Sequence, residues 1–230
     1  MKVVIMAGGE GRRLRPLTEE VPKPMLPLGE KPLLHILIER LKASGLKDII
    51  ITTRYKSEII KGYFQDGKIL GVNIFYTHET KKLGTAGPLT LLKNVLKSPF
   101  LVVNGDIFTN FDFRKIIEFH KKTNSEATVG VVNWKFQIPF GVINTFNGYI
   151  KNIEEKPSLN FLILAGIYVF NPSVLDKIPT ETTYNINQLL SELIKDGKEP
   201  KYFEIKDNWI DIGRLPDYEY ACENFQKLLE

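Results

Sequence analysis

Cysteine is nearly absent from this sequence, since its 230 residues contain one, Cys222. A lone thiol cannot form an internal disulfide, so the fold is not cross-linked in that way. Cys222 lies in a helical pattern near the C-terminus, where we expect a buried, inert thiol. Long apolar runs are also missing: the longest, such as residues 161–170, stop well short of the roughly 18 residues that a spanning helix needs. We therefore expect no membrane association.

Histidine is scarce, and charged residues of neither sign are clustered in one part of the sequence. The three histidines lie more than forty positions apart, without the His-x-x-x-His or Cys-x-x-Cys spacing that would indicate zinc. The net charge of +4 is mild and the basic residues are spread along the chain, so no nucleic-acid partner is indicated. The first strand begins at Val3 and leaves no room for a signal peptide, which predicts a cytoplasmic protein.

The composition is that of an ordinary globular protein, with 43% hydrophobic and 25% charged residues. A chain of this length buries roughly 70–75% of its unfolded surface. There is no internal repeat and no Gly/Ser-rich linker. We therefore expect one domain over residues 1–230.

Strands and helices alternate in the first half of the chain. β-Branched runs predict strands over residues 3–5, 49–51, 72–76 and 100–103, and apolar periodicity predicts helices over 33–41, 57–64, 86–96 and 113–123. Strands that are apolar on both faces indicate a mostly parallel sheet with helices on each side. The predicted class is α/β, with a three-layer, doubly wound, Rossmann-like sheet.

The pattern changes after residue 123, where strands follow one another over 127–132, 141–144, 149–154 and 162–170. Asn147-Gly148 between two alternating runs is a strong type I′ hairpin signal. We expect mixed pairing here and a small β-rich lobe. Helices over 187–196 and 215–229 then close the chain, separated by strands over 201–205 and 209–212.

A glycine- and arginine-rich loop follows the first strand. Such a loop lies at the carboxyl edge of an open α/β sheet, where ligands bind. It matches neither the dinucleotide fingerprint nor the P-loop. The amides of Gly8, Gly9 and Gly11 can approach phosphates closely, and cationic side chains stand nearby at Arg12, Arg13, Arg15 and Lys23. The alternative is a surface turn with solvated arginines.

Two aspartates stand at predicted strand ends more than a hundred positions apart, Asp106 and Asp211. Each alone would be explained as a loop or turn cap. Strand-end acids converge on one edge, however, and two carboxylates with phosphate oxygens make a hard-oxygen site that suits Mg²⁺. We therefore expect a magnesium site formed by these two residues.

Taken together, these segments resemble the sugar-1-phosphate nucleotidylyltransferases, also called nucleotide-sugar pyrophosphorylases. The resemblance runs through essentially the whole chain. It is carried by residues 7–18 (AGGEGRRLRPLT), 22–26 (PKPML), 83–88 (LGTAGP), 104–106 (NGD), 140–142 (FGV), 154–157 (EEKP), 165–168 (AGIY) and 209–213 (WIDIG).

The resemblance implies that the phosphate of a sugar 1-phosphate attacks the α-phosphorus of a nucleoside triphosphate in line, with Mg²⁺ as cofactor and pyrophosphate as product. Two unit negative charges about 4 Å apart repel by about 4 kcal/mol at an effective dielectric of 20. The protein must therefore position the reactants and neutralise their charge, and it needs no nucleophilic side chain.

The resemblance also assigns roles to residues. Arg13 grips the triphosphate, Lys23 neutralises the reacting phosphates, and Asp106 and Asp211 hold Mg²⁺. The implied nucleotide-binding residues are Ala7, Gly8, Gly9, Gly11, Arg12, Arg13, Lys23, Gly84, Thr85 and Asp106, with Gly8 and the 83–86 segment around the base. The implied sugar-phosphate residues are Gly141, Glu155, Lys156 and Gly166. Without the resemblance, residues 154–157 would be an ordinary charged hairpin end.

Two positions depart from the family pattern. Arg12 stands where threonine or serine is common, and Leu164 where a polar sugar-binding residue is common. The 83–88 segment looks most like that of guanylyltransferases acting on mannose 1-phosphate or a related sugar, which favours GTP. We also expect no C-terminal β-helix domain and no second activity.

Several alternatives stay open at this point. They are uridylyl or thymidylyl transfer to glucose 1-phosphate or an amino-sugar 1-phosphate, a non-catalytic regulatory subunit that binds nucleotide sugars, and, more distantly, a dinucleotide-dependent oxidoreductase. Apolar helix faces are compatible with a homodimer or with core packing alone.

Overall fold

The computed structural model describes residues 1–229. Its strands are β1 (Val3–Ala7), β2 (Pro27–Leu28), β3 (Lys31–Pro32), β4 (Asp48–Thr53), β5 (Asn73–His78), β6 (Phe100–Asn104), β7 (Ile107–Thr109), β8 (Ala127–Gln137), β9 (Val142–Phe146), β10 (Tyr149–Glu154), β11 (Ser158–Phe170), β12 (Lys201–Glu204) and β13 (Trp209–Asp211). Its α-helices are α1 (Leu17–Glu20), α2 (Leu33–Ala43), α3 (Ser57–Phe64), α4 (Arg114–Thr123), α5 (Ile186–Lys195), α6 (Leu215–Glu223) and α7 (Phe225–Leu229). None of these helices is both long and apolar enough to cross a bilayer.

The main sheet has seven strands in the order β12-β8-β11-β6-β1-β4-β5. Strands β5, β4, β1 and β6 run parallel, and β11 is antiparallel to both of its neighbours. The predicted mixed, mostly parallel sheet is therefore confirmed. The chain places β4 and β5 on one side of β1 and then crosses to β6 on the other side. This reversal leaves a crevice at the carboxyl ends of β1 and β6, where ligands bind in such sheets.

Both faces of the sheet are buried at its central strands. On β1, Val3 and Ile5 pack into one core with the apolar face of α2, while Val4 between them packs into a second core with α5. All three residues are fully buried, and each contributes roughly 1.5–3 kcal/mol of burial free energy. Because successive side chains of a strand point to opposite faces, this alternation produces the predicted three layers.

The helix predicted over residues 86–96 is wrong in type. A 3₁₀ helix, Gly87–Leu92, occupies its first part. The N–H groups of Ala86 and Gly87 both donate to the Tyr184 carbonyl, at 2.9 and 3.0 Å. The Thr90 hydroxyl donates to the Gly87 carbonyl at 2.7 Å, which favours the tighter turn over α-helical pairing.

The helix predicted over 215–229 is divided into α6 and α7 at Asn224. The Asn224 side-chain amide donates to the Tyr220 carbonyl at 2.9 Å, an acceptor within the last turn of α6. Such local side-chain bonds compete with helix continuation. The expected burial of Cys222 is also wrong, because α6 turns the neighbouring Ala221 into the core and leaves Cys222 exposed.

A β-arm extends away from the core. Strands β8 and β11 pair from Ala127 and Phe170 out to Gln137 and Ser158, well beyond the buried half of the sheet. The separate β9–β10 hairpin lies between them in the chain and is joined by Asn147 and Gly148 with φ of 49° and 81°. Two positive φ values identify the predicted type I′ turn. The expected β-rich lobe corresponds to this arm and hairpin.

Candidate active site

A crevice of about 480 Å³ opens at the carboxyl ends of β1 and β6. Ten of its lining residues are the predicted nucleotide-binding ones, Ala7, Gly8, Gly9, Gly11, Arg12, Arg13, Lys23, Gly84, Thr85 and Asp106. A second cavity of about 370 Å³ shares Thr85, Asn104 and Asn185 with the crevice. The two cavities therefore adjoin at the sheet edge.

Lys23 joins the two predicted metal-binding aspartates. It begins the 3₁₀ helix Lys23–Met25 and is only 8% exposed. Its ammonium donates to Asp106 Oδ2 and lies 3.8 Å from Asp211 Oδ1. Three residues separated by up to 188 positions in sequence thus meet in one cluster.

Backbone pairing brings the two aspartates together. Asp106 follows β6 and directly precedes β7, which pairs antiparallel with β13. In that ladder Asp211 lies opposite Ile107, and the Ile212 N–H donates to the Asp106 carbonyl at 3.0 Å. The short β7 strand was not predicted from the sequence, and it fixes the position of Asp211.

The cluster is electrostatically strained before any phosphate binds. Burial and the neighbouring Asp106 carboxylate raise the pKa of Asp211, while Lys23 and Arg13 act in the opposite direction. Two close carboxylates disfavour each other's charged form, and a cation between them offsets part of that cost. The lysine therefore offsets part of the repulsion between the two carboxylates in this structure.

The acid pair is suited to a hard divalent cation. Asp106 Oδ1 is buried and accepts no hydrogen bond from the described residues, so one of its lone-pair directions is open to a ligand. Within residues 1–229 no group of three or more His, Cys, Asp or Glu side chains could hold a metal ion. Mg²⁺ needs few protein ligands, because it usually keeps waters and shares substrate phosphates. The donor set fits that mode of binding.

The two neighbouring arginines of the glycine-rich loop differ in their surroundings. Arg13 reaches Gly213, with a guanidinium nitrogen 3.2 Å from where a Cβ would stand, and it acts on Asp211. Arg12 has a side chain that is 75% exposed, and its Nε donates to Glu10 at 2.6 Å. Glu10 also accepts from Arg54 at 2.9 Å, and Arg54 and Arg12 together lower the pKa of Glu10 to about 2.

The Gly84–Thr85 loop is anchored on the start of α5. The Thr85 N–H donates to Asn185 Oδ1 at 3.2 Å, and the Thr85 hydroxyl accepts the Ile186 N–H at 2.9 Å. The side chain of Thr85 thus satisfies one of the free amides at the N-terminus of α5. This contact holds the loop at the boundary between the two cavities.

The predicted sugar-phosphate residues do not all meet. Gly166 lines the second cavity, together with Leu164, which replaces the expected polar residue. Gly141 and Glu155 adjoin each other at the base of the β9–β10 hairpin, where the Lys156 N–H donates to the Phe140 carbonyl at 3.3 Å. These three hairpin residues line neither cavity.

Sequence reasoning missed several lining residues, among them Arg54, Glu79, Asn104 and Asn185. Arg54 directly follows β4 and Glu79 directly follows β5. Ligands bind at the carboxyl ends of strands in such sheets, and this rule predicts a site role for both residues as it does for the loop after β1. Asn185 follows no strand, and only the packing of α5 brings it to the crevice.

Comparison with curated proteins finds relatives that share nearly the same name. The chain is 37% identical over 224 residues to "Mannose-1-phosphate guanylyltransferase catalytic subunit beta" of Drosophila melanogaster, covering 94% of this chain and 60% of that protein. It is 38% identical over 231 residues to "Mannose-1-phosphate guanyltransferase" of Yarrowia lipolytica, covering 95% and 62%. The chain thus spans about three fifths of the length of these relatives.

Solved structures share the fold over nearly the full length of both chains. A "Putative Glucose-1-Phosphate Thymidylyltransferase" from Bacillus anthracis superposes with a TM-score of 0.79 at 27% identity, covering 97% of this chain and 94% of that one. HddC from Yersinia pseudotuberculosis, crystallised in complex with GMP-PN, gives 0.77 at 29% identity, covering 97% and 99%. The family described as "Nucleotidyl transferase" matches residues 2–227. The chain, with its acid pair, lysine and glycine-rich loop at one sheet edge, belongs to this nucleotidyl transferase family.

Proposed function

We propose that this chain transfers a guanylyl group from GTP to mannose 1-phosphate or a related sugar 1-phosphate, giving a GDP-sugar and pyrophosphate. The names of the relatives at 37% and 38% identity support this substrate pair. The complex of HddC with GMP-PN supports a guanosine nucleotide in this fold.

One observation carries the proposal. Lys23, Asp106 and Asp211 form a cluster of opposite charges inside a crevice that is also lined by a glycine-rich loop and Arg13. Neither a binding module for neutral ligands nor a structural domain needs a buried lysine between two carboxylates. A reaction between two polyanions does, because their charges must be offset where they meet.

In this mechanism the chain positions and neutralises the two phosphates. The amides of the loop at Gly8, Gly9 and Gly11 face the triphosphate, and Arg13 supplies a planar cation that can grip two oxygens at once. Lys23 stands beside the reacting phosphates as a compact charge. Mg²⁺ held by Asp106 and Asp211 would offset the charge that develops on the α-phosphate oxygens.

The sugar phosphate is assigned to the second cavity. Its opening towards Asp211 and Gly166 would place an acceptor phosphate next to the acid pair. Asn104 and Asn187 offer amides to sugar hydroxyls there, and Trp209 adds an aromatic wall whose Nε1–H is already bonded to the Ala165 carbonyl at 2.9 Å. Glu155, Lys156 and Gly141 remain in the proposal as contacts made from the hairpin side.

The test is a matrix of GTP, ATP, UTP, dTTP and CTP against mannose, glucose, glucosamine and N-acetylglucosamine 1-phosphates, with pyrophosphate release measured in the presence and absence of Mg²⁺. We expect the highest kcat/KM for GTP with mannose 1-phosphate and no turnover without a divalent cation. A higher value for UTP or dTTP would favour the uridylyl or thymidylyl alternative. Nucleotide-sugar binding without turnover of any pair would favour a regulatory subunit.

A further inference from the structure

The outer half of the β-arm has one apolar face and one polar face. In the β8–β11 ladder Trp134 lies opposite Phe161, and Phe136 lies opposite Leu159. Because successive side chains of a strand point to opposite faces, these four residues share one face of the arm. The other face is polar apart from one leucine and consists of Asn133, Lys135, Gln137, Ser158, Asn160 and Leu162.

The apolar face of the arm continues the buried core outwards. One cross-strand pair closer to the sheet, Val132 belongs to the core that Val3 shares with α2, and Ile163 packs against that core. The next four side chains along the same face are about half exposed, so no other segment within residues 1–229 covers them. A two-stranded ribbon is only marginally stable in water unless its apolar face is packed. The arm therefore requires a cover.

The β9–β10 hairpin adds a second apolar face to the arm. The arm continues towards this hairpin through the Ile138 N–H, which donates to the Pro157 carbonyl at 3.0 Å. Within the hairpin Ile143 lies opposite Ile153, and Ile150 is on the same face. We call these three isoleucines and the four arm residues the apolar arm surface; its members, Trp134, Phe136, Ile143, Ile150, Ile153, Leu159 and Phe161, are between 44% and 63% exposed.

The size of the apolar arm surface matches a subunit interface. A half-exposed aromatic side chain presents about 100 Å², so seven large apolar side chains present on the order of 700 Å². The largest apolar patch on a typical monomer is only about 300–600 Å². Two such surfaces packed together would bury about 1,400 Å², within the range of roughly 1,200–2,000 Å² for stable protein–protein interfaces. One further copy of the chain thus supplies enough area.

The charges near this surface favour a second copy over a lipid bilayer. Residues 133–162 contain three lysines and two glutamates, which gives a net charge of +1. Membrane-surface binding usually adds a cluster of basic residues that anionic lipids attract, and the arm has no such excess. The apolar arm surface itself contains no charged side chain. Two copies can therefore face each other across a two-fold axis without like-charge repulsion.

We propose that the chain forms a two-fold symmetric dimer in which the apolar arm surface packs against the same surface of a second copy. Rows of cross-strand side chains interdigitate when two sheets pack face to face, and the pairs Trp134–Phe161 and Phe136–Leu159 supply such rows. The polar face, with Lys135, then remains in water. This proposal does not depend on the proposed function, because none of these residues lines either cavity.

The experiment measures the mass of the protein by sedimentation equilibrium over a wide range of concentrations. The wild type should have twice the mass of one chain. Phe161→Glu places a charge in the centre of the interface, and Phe136→Glu places one nearer the tip of the arm. Each should weaken association at least about 100-fold, because an unpaired charge is costly to bury. Circular dichroism should be unchanged, since both side chains are half exposed in the single chain.

Phe75→Glu is the matched control. Phe75 is an exposed phenylalanine on β5, at the edge of the main sheet furthest from the arm strands β8 and β12, and its replacement should keep the dimer. Hydrogen exchange of the wild type supplies a readout without mutation: residues 133–137 and 158–162 should exchange more slowly at concentrations where the dimer forms.

Two results would overturn the proposal directly: a wild type that is monomeric at every concentration, or a dimer that survives both arm substitutions. Flotation with vesicles of phosphatidylcholine and phosphatidylserine tests the other occupant. The wild type should stay unbound, and a monomer that floats with the vesicles assigns the apolar arm surface to lipid and contradicts the dimer.

Discussion

Carboxylates stand at both ends of the nucleotide crevice, but a paired cation accompanies them at one end only. At the β6 end, Asp106 and Asp211 share a lysine, and the pair is compensated before any ligand arrives. At the β5 end, Glu79 is buried with one backbone amide as its hydrogen-bond donor. Burial raises the pKa of Glu79, and the Leu83 N–H and Arg54 only partly oppose that rise.

The difference shows how a carboxylate's surroundings select its role. A carboxylate pair beside a cation can exchange that cation for a metal and phosphate without leaving a bare charge in the protein. A single buried carboxylate without a paired cation instead leaves an oxygen that an N–H donor of a ligand can satisfy. The first arrangement suits phosphoryl chemistry, and the second leaves a carboxylate oxygen available to a hydrogen-bond donor. The experiments below test that division.

The largest effect is expected from Asp106→Asn, which keeps the shape of the side chain and removes one charge from the acid pair. Turnover should fall on the order of 10³-fold, because a metal ligand and its charge stabilisation are lost together. Initial rates of pyrophosphate release, measured over a Mg²⁺ titration, would show this loss. Circular dichroism would show whether the fold is retained.

Asp176→Asn is the matched control for this change. The Asp176 side chain is 82% exposed and pairs with Lys93 at 3.4 Å, remote from both cavities. It should keep full activity. An Asp106→Asn protein that retains more than a tenth of wild-type turnover would contradict the assignment of the acid pair.

Smaller losses of kcat/KM are expected from substitutions in the glycine-rich loop, and they should differ between the neighbouring residues Arg13 and Arg12. Arg13→Ala should lower kcat/KM about 10²-fold, because its guanidinium faces the acid pair and is available to the triphosphate. Arg12→Ala should lower it by less than about fivefold, because exposed ion pairs such as the one with Glu10 contribute little. Steady-state kinetics with GTP would compare the two variants. Equal losses would mean that Arg12 exchanges Glu10 for phosphate when the nucleotide binds.

Periodicity predicted most of the fold because the apolar alternation of each parallel strand is local. Val3, Val4 and Ile5 show it within three residues, since each face of the sheet has its own core. Errors arose where a distant partner decides the local structure. The 3₁₀ helix at Gly87–Leu92 depends on the Tyr184 carbonyl, about a hundred positions away.

The same distinction holds for the site. Asp106 and Asp211 were identifiable because each ends an apolar strand, but their common lysine contact depends on the unpredicted pairing of β7 with β13. Glu79 was missed although it follows a predicted strand, because nothing in its own sequence neighbourhood shows that its side chain turns back towards Gly8. Such contacts are properties of the folded sheet edge and have no local signature.

The smallest effect concerns the contribution of Glu79 to stability at the β5 end, and its sign shows whether this carboxylate supports the fold. A carboxyl whose pKa is raised on folding stabilises the native state below its unfolded pKa, and this contribution is lost as the pH rises through the folded pKa. Glu79 is such a group. At pH 7 the free energy of unfolding of Glu79→Gln should therefore be higher than that of the wild type. The difference should shrink towards pH 4.

Urea unfolding of both proteins between pH 4 and 7, without nucleotide, measures this difference. Glu39→Gln is the control of opposite sign: burial opposes the shift, but the Lys31 hydrogen bond and the charges of His35 and Lys31 lower the pKa of Glu39 overall. Glu39 therefore stabilises the fold above its unfolded pKa and loses that contribution as the pH falls, so its removal should destabilise the protein at pH 7. If Glu79→Gln lowers the free energy of unfolding at pH 7 as well, the Glu79 carboxylate supports the fold through its hydrogen bond with the Leu83 N–H.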